Sequence, residues 1–270
     1  MNHAQTIRWA VTGVRSGLAL GSLLLVVISV SGCVSYRVPG GPANFRAMGI
    51  TEEILEEQTD VSISRRLERK PLASFPVTVA VVRVQDRNYS SYTSGSYGRG
   101  NYRIVTTRDV ESDEAFDRIA ALPMIRTLAP LSRLVVAEEL NTELELREAA
   151  ATVQAGMLLI YTFDTTFGVE EAIVPLSIIT LGLFPDDEAR VTTTVSAVLI
   201  DTRNGYVYGL TEATSHQTQL ANNWTSQAAI DQSRRRAEQE AFDKLIEGIE
   251  TLWMGVIQTY GPSLSVEADG

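Results

Sequence analysis

The chain is poor in the residues that usually carry chemistry. Of its 270 residues one is cysteine, Cys33, and two are histidine, His3 and His216. A lone cysteine leaves no internal disulfide. A histidine-based zinc site needs several ligands at set spacings, which two distant histidines do not supply. A Ser/His/Asp triad would have to use His216, and no G-x-S-x-G elbow accompanies it. P-loop and dinucleotide fingerprints are missing as well. Asp186-Asp187-Glu188 is acidic but lacks the spaced oxygens of a calcium loop. The expectation is therefore no catalytic residue, no metal and no cofactor. Basic charge is also short: 23 Lys and Arg stand against 33 Asp and Glu, a net charge of −10. That balance argues against a nucleic-acid partner, which calls for a basic face.

What is present starts at the N-terminus. Arg8 and Arg15 are the only charges in the first 32 residues, and the 17 residues Ser16–Gly32 carry none. A positive start, an apolar run and a small-residue exit are the layout of a secretory signal. The run is at the short edge of the ~20 residues that span a bilayer as a helix. The cysteine stands directly behind it, and Val30-Ser31-Gly32-Cys33 resembles the lipobox of bacterial lipoproteins. The resemblance implies removal of residues 1–32, lipidation of Cys33 by diacylglycerol and acylation of the new amine. Two or more lipid signals give stable anchoring, whereas one chain holds a protein only marginally. Val34, where an Asp often retains such proteins in the inner membrane, implies an outer-membrane location facing the periplasm. Without residues 1–32 the chain has 21 basic and 33 acidic residues, a net charge of −12. Electrostatic adhesion to anionic lipid is not expected, and the acyl chains would do the anchoring.

Residues 33–50 hold two prolines and three glycines and read as a lipidated N-terminus with a flexible tether. Residues 51–71 begin acidic and end basic, the polarity of a peripheral helical segment. A periplasmic α/β domain is expected over 72–258, with a disordered tail over 259–270. Within the domain "FPVTVAVVRVQ" reads as a strand buried on both faces. It and "YRIVTTRDV" flank a Tyr/Ser/Gly-rich tip, so a long hairpin is expected. Ser112 is a helix cap before "DEAFDRIAALP". A strand near 133–137, a helix over "NTELELREAAATVQAG" and a strand in "MLLIYTFDTTF" form a strand–helix–strand unit. In that helix Leu144, Ala151 and Val153 share the expected inner side, with Gly156 as the residue that ends it. "RVTTTVSAVLIDTRNGYVYGLTEATS" is a hairpin, with Asn204-Gly205 in a type I′ turn. The last element is one long helix, with Ile230, Ala237, Ala241, Leu245, Ile249, Leu252 and Val256 at helical spacing. Arg234–Glu238, Arg236–Glu240 and Glu240–Lys244 are expected as pairs on its outer faces. The fold class is thus mixed α/β, with one small mixed sheet.

This order, with "QAGMLLIYTFDT" and then "LIDTRNGYVYG" before a C-terminal helix, resembles the periplasmic α/β domains of the curli-secretion lipoprotein and TolB N-terminal type. The matching segments are Ala155-Gly156-Met157 and Asp201-Thr202-Arg203-Asn204-Gly205, within roughly residues 75–257. They carry fold, not catalysis. Two stretches go beyond what architecture demands. The Tyr-rich tip offers Tyr89, Tyr92 and Tyr97 for a partner, since Tyr, Ser and Gly suit adaptable contacts. The 13 uncharged residues 172–184, "AIVPLSIITLGLF", offer Ile178 and Leu181 as a docking patch, although burial in the core is the readier expectation. The reading is a non-enzymatic lipoprotein, held to the membrane by its N-terminal lipid and meeting an unidentified envelope protein. An oligomeric secretion-channel subunit is one alternative, implied by the resemblance, with 88–107 and 169–195 as its membrane hairpins. A cell-wall hydrolase is the other.

Overall fold

The computed structural model describes residues 35–36, 39–50, 60–91, 93–169, 172–173, 179–180, 188–220 and 227–262. In chain order the elements are β1 (Ser35–Tyr36), α1 (Asp60–Glu68), β2 (Val77–Asp86), β3 (Ser96–Tyr97), β4 (Arg99–Gly100) and β5 (Tyr102–Val105). Then come α2 (Asp113–Ala120), β6 (Ile125–Pro130), β7 (Glu139–Leu140), α3 (Glu143–Thr152), β8 (Met157–Val169), β9 (Ala172–Ile173) and β10 (Ile179–Thr180). The hairpin β11 (Glu188–Asp201) and β12 (Val207–Leu220) precedes α4 (Gln227–Tyr260). This is a mixed α/β fold with a mixed sheet and a long C-terminal helix.

The main sheet runs β12-β11-β8-β2-β5-β3, with β6 also pairing β2 and β9 pairing β8. β2 sits at its centre because "VTVAVV" has no polar face to turn outward. It pairs in parallel with β8 through Val79–Arg83 and with β6 through Val77–Val81. Its last residues, Val84–Asp86, pair antiparallel with β5. β8, β11 and β12 are antiparallel and run on as a three-stranded arm. Where β2 leaves β8, the side chain of Gln85 replaces the backbone ladder. Its Oε1 accepts from Phe163 N at 2.8 Å and its Nε2 donates to Phe163 O at 3.1 Å.

Each sheet face has its own core. On one, α2 and α4 cover Val79, Val81, Leu159, Phe163, Val195 and Leu199 with Phe116, Ile119, Phe242, Leu245, Ile249 and Trp253. On the other, α3 covers Ala80, Val82, Leu158, Ile160, Val198 and Ile200 with Leu146, Ala149 and Ala150. Met48 and Ile50 join that second core. Residues 39–50, expected as part of a tether, are therefore packed structure. Pro42 is bridged to Gln85, Ala43 N donates to Thr162 Oγ1, and Met48 O accepts from Glu143 N.

The caps follow the sequence. Ser112 accepts from Ala115 N, and Thr142 with Glu145 closes a capping box at the start of α3. Four expectations are corrected. The main-sheet strand that precedes α3 is β6 at 125–130, not 133–137, where a turn places Val136 inside and leaves Leu134 exposed. The inner side of α3 is Leu146, Ala149 and Ala150, while Leu144 and Ala151 are exposed; of the expected residues only Val153, partly buried, packs against the second core. α3 ends on Gln154 at φ 57°, with Ala155 N bonded to Ala150 O, a Schellman motif that leaves no role for Gly156. In the β11–β12 turn Gly205 has φ 69° and Asn204 is not left-handed, so the turn is not type I′. Asp201 organises it instead. Its buried carboxylate accepts from Leu72 N, Ala73 N, Arg203 N and the Tyr208 hydroxyl.

Candidate functional site: a buried arginine–carboxylate cluster

In the fork between the end of β2 and the three-stranded arm lies a group of buried charges. Arg83 comes from the central strand, Asp109 and Glu111 from the stretch before α2, and Asp231, Arg234 and Glu238 from α4. Strand alternation sends Arg83 to the same face as Val79 and Val81. The i, i+3 and i+4 spacing of α4 stacks Asp231, Arg234 and Glu238 on one side.

The Arg83 guanidinium lies 3.3 Å from Glu111, 3.5 Å from Asp109 and 3.9 Å from Glu238. Its Cζ is 4.2 Å from the centre of the Phe163 ring, a cation–π contact. Arg234, fully buried, reaches Asp231 at 3.0 Å and Asp109 at 3.3 Å, and also pairs with Glu238. Hydroxyls complete the shell. Tyr161 donates to Glu111 at 2.9 Å, Thr93 to Asp109 at 2.5 Å and Thr165 to Glu238 at 3.0 Å. Arg235, at the rim, pairs with Asp231 at 3.2 Å.

The electrostatics favour the charged forms of Arg83 and Asp109. Burial opposes the charge on Arg83, but Glu111 and its neighbours outweigh it, so the guanidinium pKa is raised. Burial pushes the Asp109 carboxyl up. Hydrogen bonds from Thr93 and Ser94, with the charges of Arg234 and Arg83, more than offset that and hold it below the usual carboxylate range. Burial, and then Glu111, raises Tyr161 well above its ordinary value, so it remains a donor. Chemically the arrangement is a staple. Each carboxylate is engaged by an arginine or a hydroxyl, and the cluster ties α4 to β2 and to the segment 93–111.

Cys33, Tyr92, Ile178 and Leu181 lie outside the described residues. Tyr89, expected on a flexible tip, is buried, with its hydroxyl 3.4 Å from Arg83 Nη2. Tyr97 is half-buried against the second core. The expected hairpin forms between β2 and β5, but its tip is built structure. Tyr102 is fully buried and donates to Thr142 O at 2.7 Å. β4 pairs β7, and Gly98 and Gly100, at φ 105° and 107°, pass against Leu140. His216 is exposed on β12, its Nδ1 3.0 Å from Thr192 Oγ1.

The Arg234–Glu238 pair, expected on an outer face, lies at the centre of the cluster. The signal was in the sequence. Arg234 sits four residues after Ile230 and three before Ala237, on the apolar stripe itself. Arg83 interrupts an apolar strand buried on both faces, where a charge needs a partner. Elsewhere, a cavity of about 10 Å³ between α2, α4 and the sheet is lined by Ile119, Leu159, Ile249 and Trp253, room for no more than about one water. Among the described residues no group of three or more His, Cys, Asp or Glu is placed to hold a metal ion. Among the same residues no helix is long and apolar enough to cross a membrane.

No family model matches the chain, and no curated protein matches it. Solved structures with a similar arrangement include a minor lipoprotein of Acinetobacter baumannii, 9% identical, covering 66% of this chain and 91% of that one at a TM-score of 0.29. A Xanthomonas campestris protein of the DUF330 family is 12% identical, covering 71% and 92% at a TM-score of 0.33. A lipoprotein of Neisseria meningitidis is 14% identical, covering 62% and 99% at a TM-score of 0.27. At these scores the likeness carries no argument about what this chain does.

Proposed function

We propose that the chain is a non-enzymatic lipoprotein of the bacterial cell envelope, anchored through lipid on Cys33. Its α/β domain serves as an interaction or structural module. The observation that carries the reading is the placement of the sole cysteine behind Val30-Ser31-Gly32, at the end of an uncharged run. Val34 favours the outer membrane, with the domain facing the periplasm, and the partner is an envelope protein. The geometry agrees in two respects. Residues 39–50 pack on the sheet, so the body is held close to the anchor rather than on a long tether. Among the described residues, the cluster of Arg83, Asp109, Glu111, Asp231, Arg234 and Glu238 is enclosed and mutually paired, as suits a rigid module more than a reaction centre. Metabolic labelling with an alkynyl palmitate tests the anchor. Label is expected on the natural chain and lost in Cys33→Ala, and equal labelling of both overturns the reading.

A further inference from the structure

α1 is nine residues long and carries its apolar side chains outward. Ile63 is 56% exposed and Leu67, one turn on, is 82% exposed. Four of the eight large apolar side chains that stand exposed among the described residues, Val61, Ile63, Leu67 and Leu72, fall within 61–72. The other side of the helix meets the body. Arg66 and Arg69 are half-buried, and Arg69 approaches Gly205 in the β11–β12 turn. Asn204 Nδ2 donates to Lys70 O at 2.8 Å, which fixes the end of the segment. A helix this short is marginal in water by itself and gains its stability by covering an apolar face. Here Ile63 and Leu67 point away from the chain's own core.

Helical spacing puts Asp60, Ile63, Ser64 and Leu67 on one side, and Lys70, also exposed, follows the last turn. Along the axis that side reads acidic, apolar, apolar, basic. We infer that α1 is a self-association surface: two copies of the chain pair through antiparallel α1 helices about a two-fold axis. Ile63 packs on Leu67 of the second copy at the centre, and Asp60 pairs with Lys70 of the second copy at each end. The occupant is a second copy because the order of charge and the apolar spacing are complementary to their own reverse, as a two-fold interface requires. A parallel pair would set like charges together. The pairing goes beyond the lipid-anchor reading and does not depend on it. One short helix is a small contact beside the roughly 1,200–2,000 Å² of a standard interface, so the dimer exchanges and is read by trapping.

The test uses the full chain in intact cells, co-expressed as two differently tagged copies, one with Ile63→Cys and the other with Leu67→Cys, and oxidised with copper–phenanthroline. Both positions are exposed, so neither substitution is expected to disturb the fold. Facing positions come within disulfide reach. Position 63 and its own symmetry mate are offset by about 6 Å along the axis, besides a helix separation of about 8–10 Å, which is too far. A cross-link between position 63 of one copy and position 67 of the other, identified by mass spectrometry, is expected in severalfold excess over the 63–63 and 67–67 products. Asp60→Lys in both copies, or Lys70→Asp in both, should cut that yield severalfold, and the two together should restore it. A structural role within one chain would not give that restoration. Products in statistical proportion, or mainly 63–63, overturn the antiparallel pair. A yield that ignores the charge changes, or that the double exchange fails to restore, overturns it as well.

Discussion

Replacing Arg234 by methionine removes the charge that engages Asp231, Glu238 and Asp109 in the fork. Methionine fills much of the same space, so the loss is electrostatic rather than a cavity. Glu238 and Asp109 are left buried, with Arg83 at 3.9 and 3.5 Å as the remaining arginine contact of each. Breaking a buried pair by removing one partner destabilises by about 3–5 kcal/mol, against a typical total of about 5–15 kcal/mol. For a domain of this size each kcal/mol shifts Tm by about 2–4 °C, so a fall of roughly 6–20 °C is expected. Circular dichroism on the natural chain and on R234M measures it. The double variant R234M/E238Q should be less destabilised than the sum of its singles, because neutralising Glu238 removes the stranded charge. An unchanged Tm in R234M, or strictly additive losses, would refute the assignment of a coupled buried cluster.

The same cluster sets an acid limit. Asp109 is held below its ordinary pKa, so its contribution is present above the unfolded value of about 4 and is lost as pH falls through the folded value. In R234M that depression shrinks, and the acid unfolding midpoint should move to higher pH; an identical midpoint contradicts the account. Asp201→Ala removes the acceptor of three backbone N–H groups, Leu72, Ala73 and Arg203, and of the Tyr208 hydroxyl. It should destabilise by on the order of 3 kcal/mol in urea titration. Gly100→Ala puts a Cβ 2.5 Å from Leu140 O at a left-handed φ. A loss of about 2 kcal/mol is expected, and a neutral result would mean the tip is not packed. By contrast Arg118→Ala, which removes a partly exposed pair with Glu250, should cost at most about 1 kcal/mol and shrink with salt.

The apolar strands, the buried stripe of α4 and the N-caps of α2 and α3 are local patterns, and they were legible. "VTVAVV" and "MLLIYTF" have no polar face and became the central parallel pair. Ser112 capped α2, and the Ile230, Ala237, Ala241, Leu245 stripe of α4 is buried. Non-local placement was not legible. "IRTLAP" has little strand character, yet it pairs because β2 presents a free edge there, whereas the more apolar "RLVV" forms a turn. α3 is rich in alanine and acids and has no strong apolar face of its own. Which side turns inward was decided by the sheet, where small Ala149 and Ala150 allow close approach to the second core. The tip of Tyr, Ser and Gly has the composition of a mobile loop. Only its neighbours decide otherwise, through the Thr142 carbonyl that holds Tyr102 and the Leu140 against which two glycines pass. Arg83 and Arg234 are 151 positions apart in the sequence. Each could be seen to need a partner, since a charge on a buried face must be paired. That both needs are met in one fork follows from where α4 crosses the diverging strands, which no local pattern specifies.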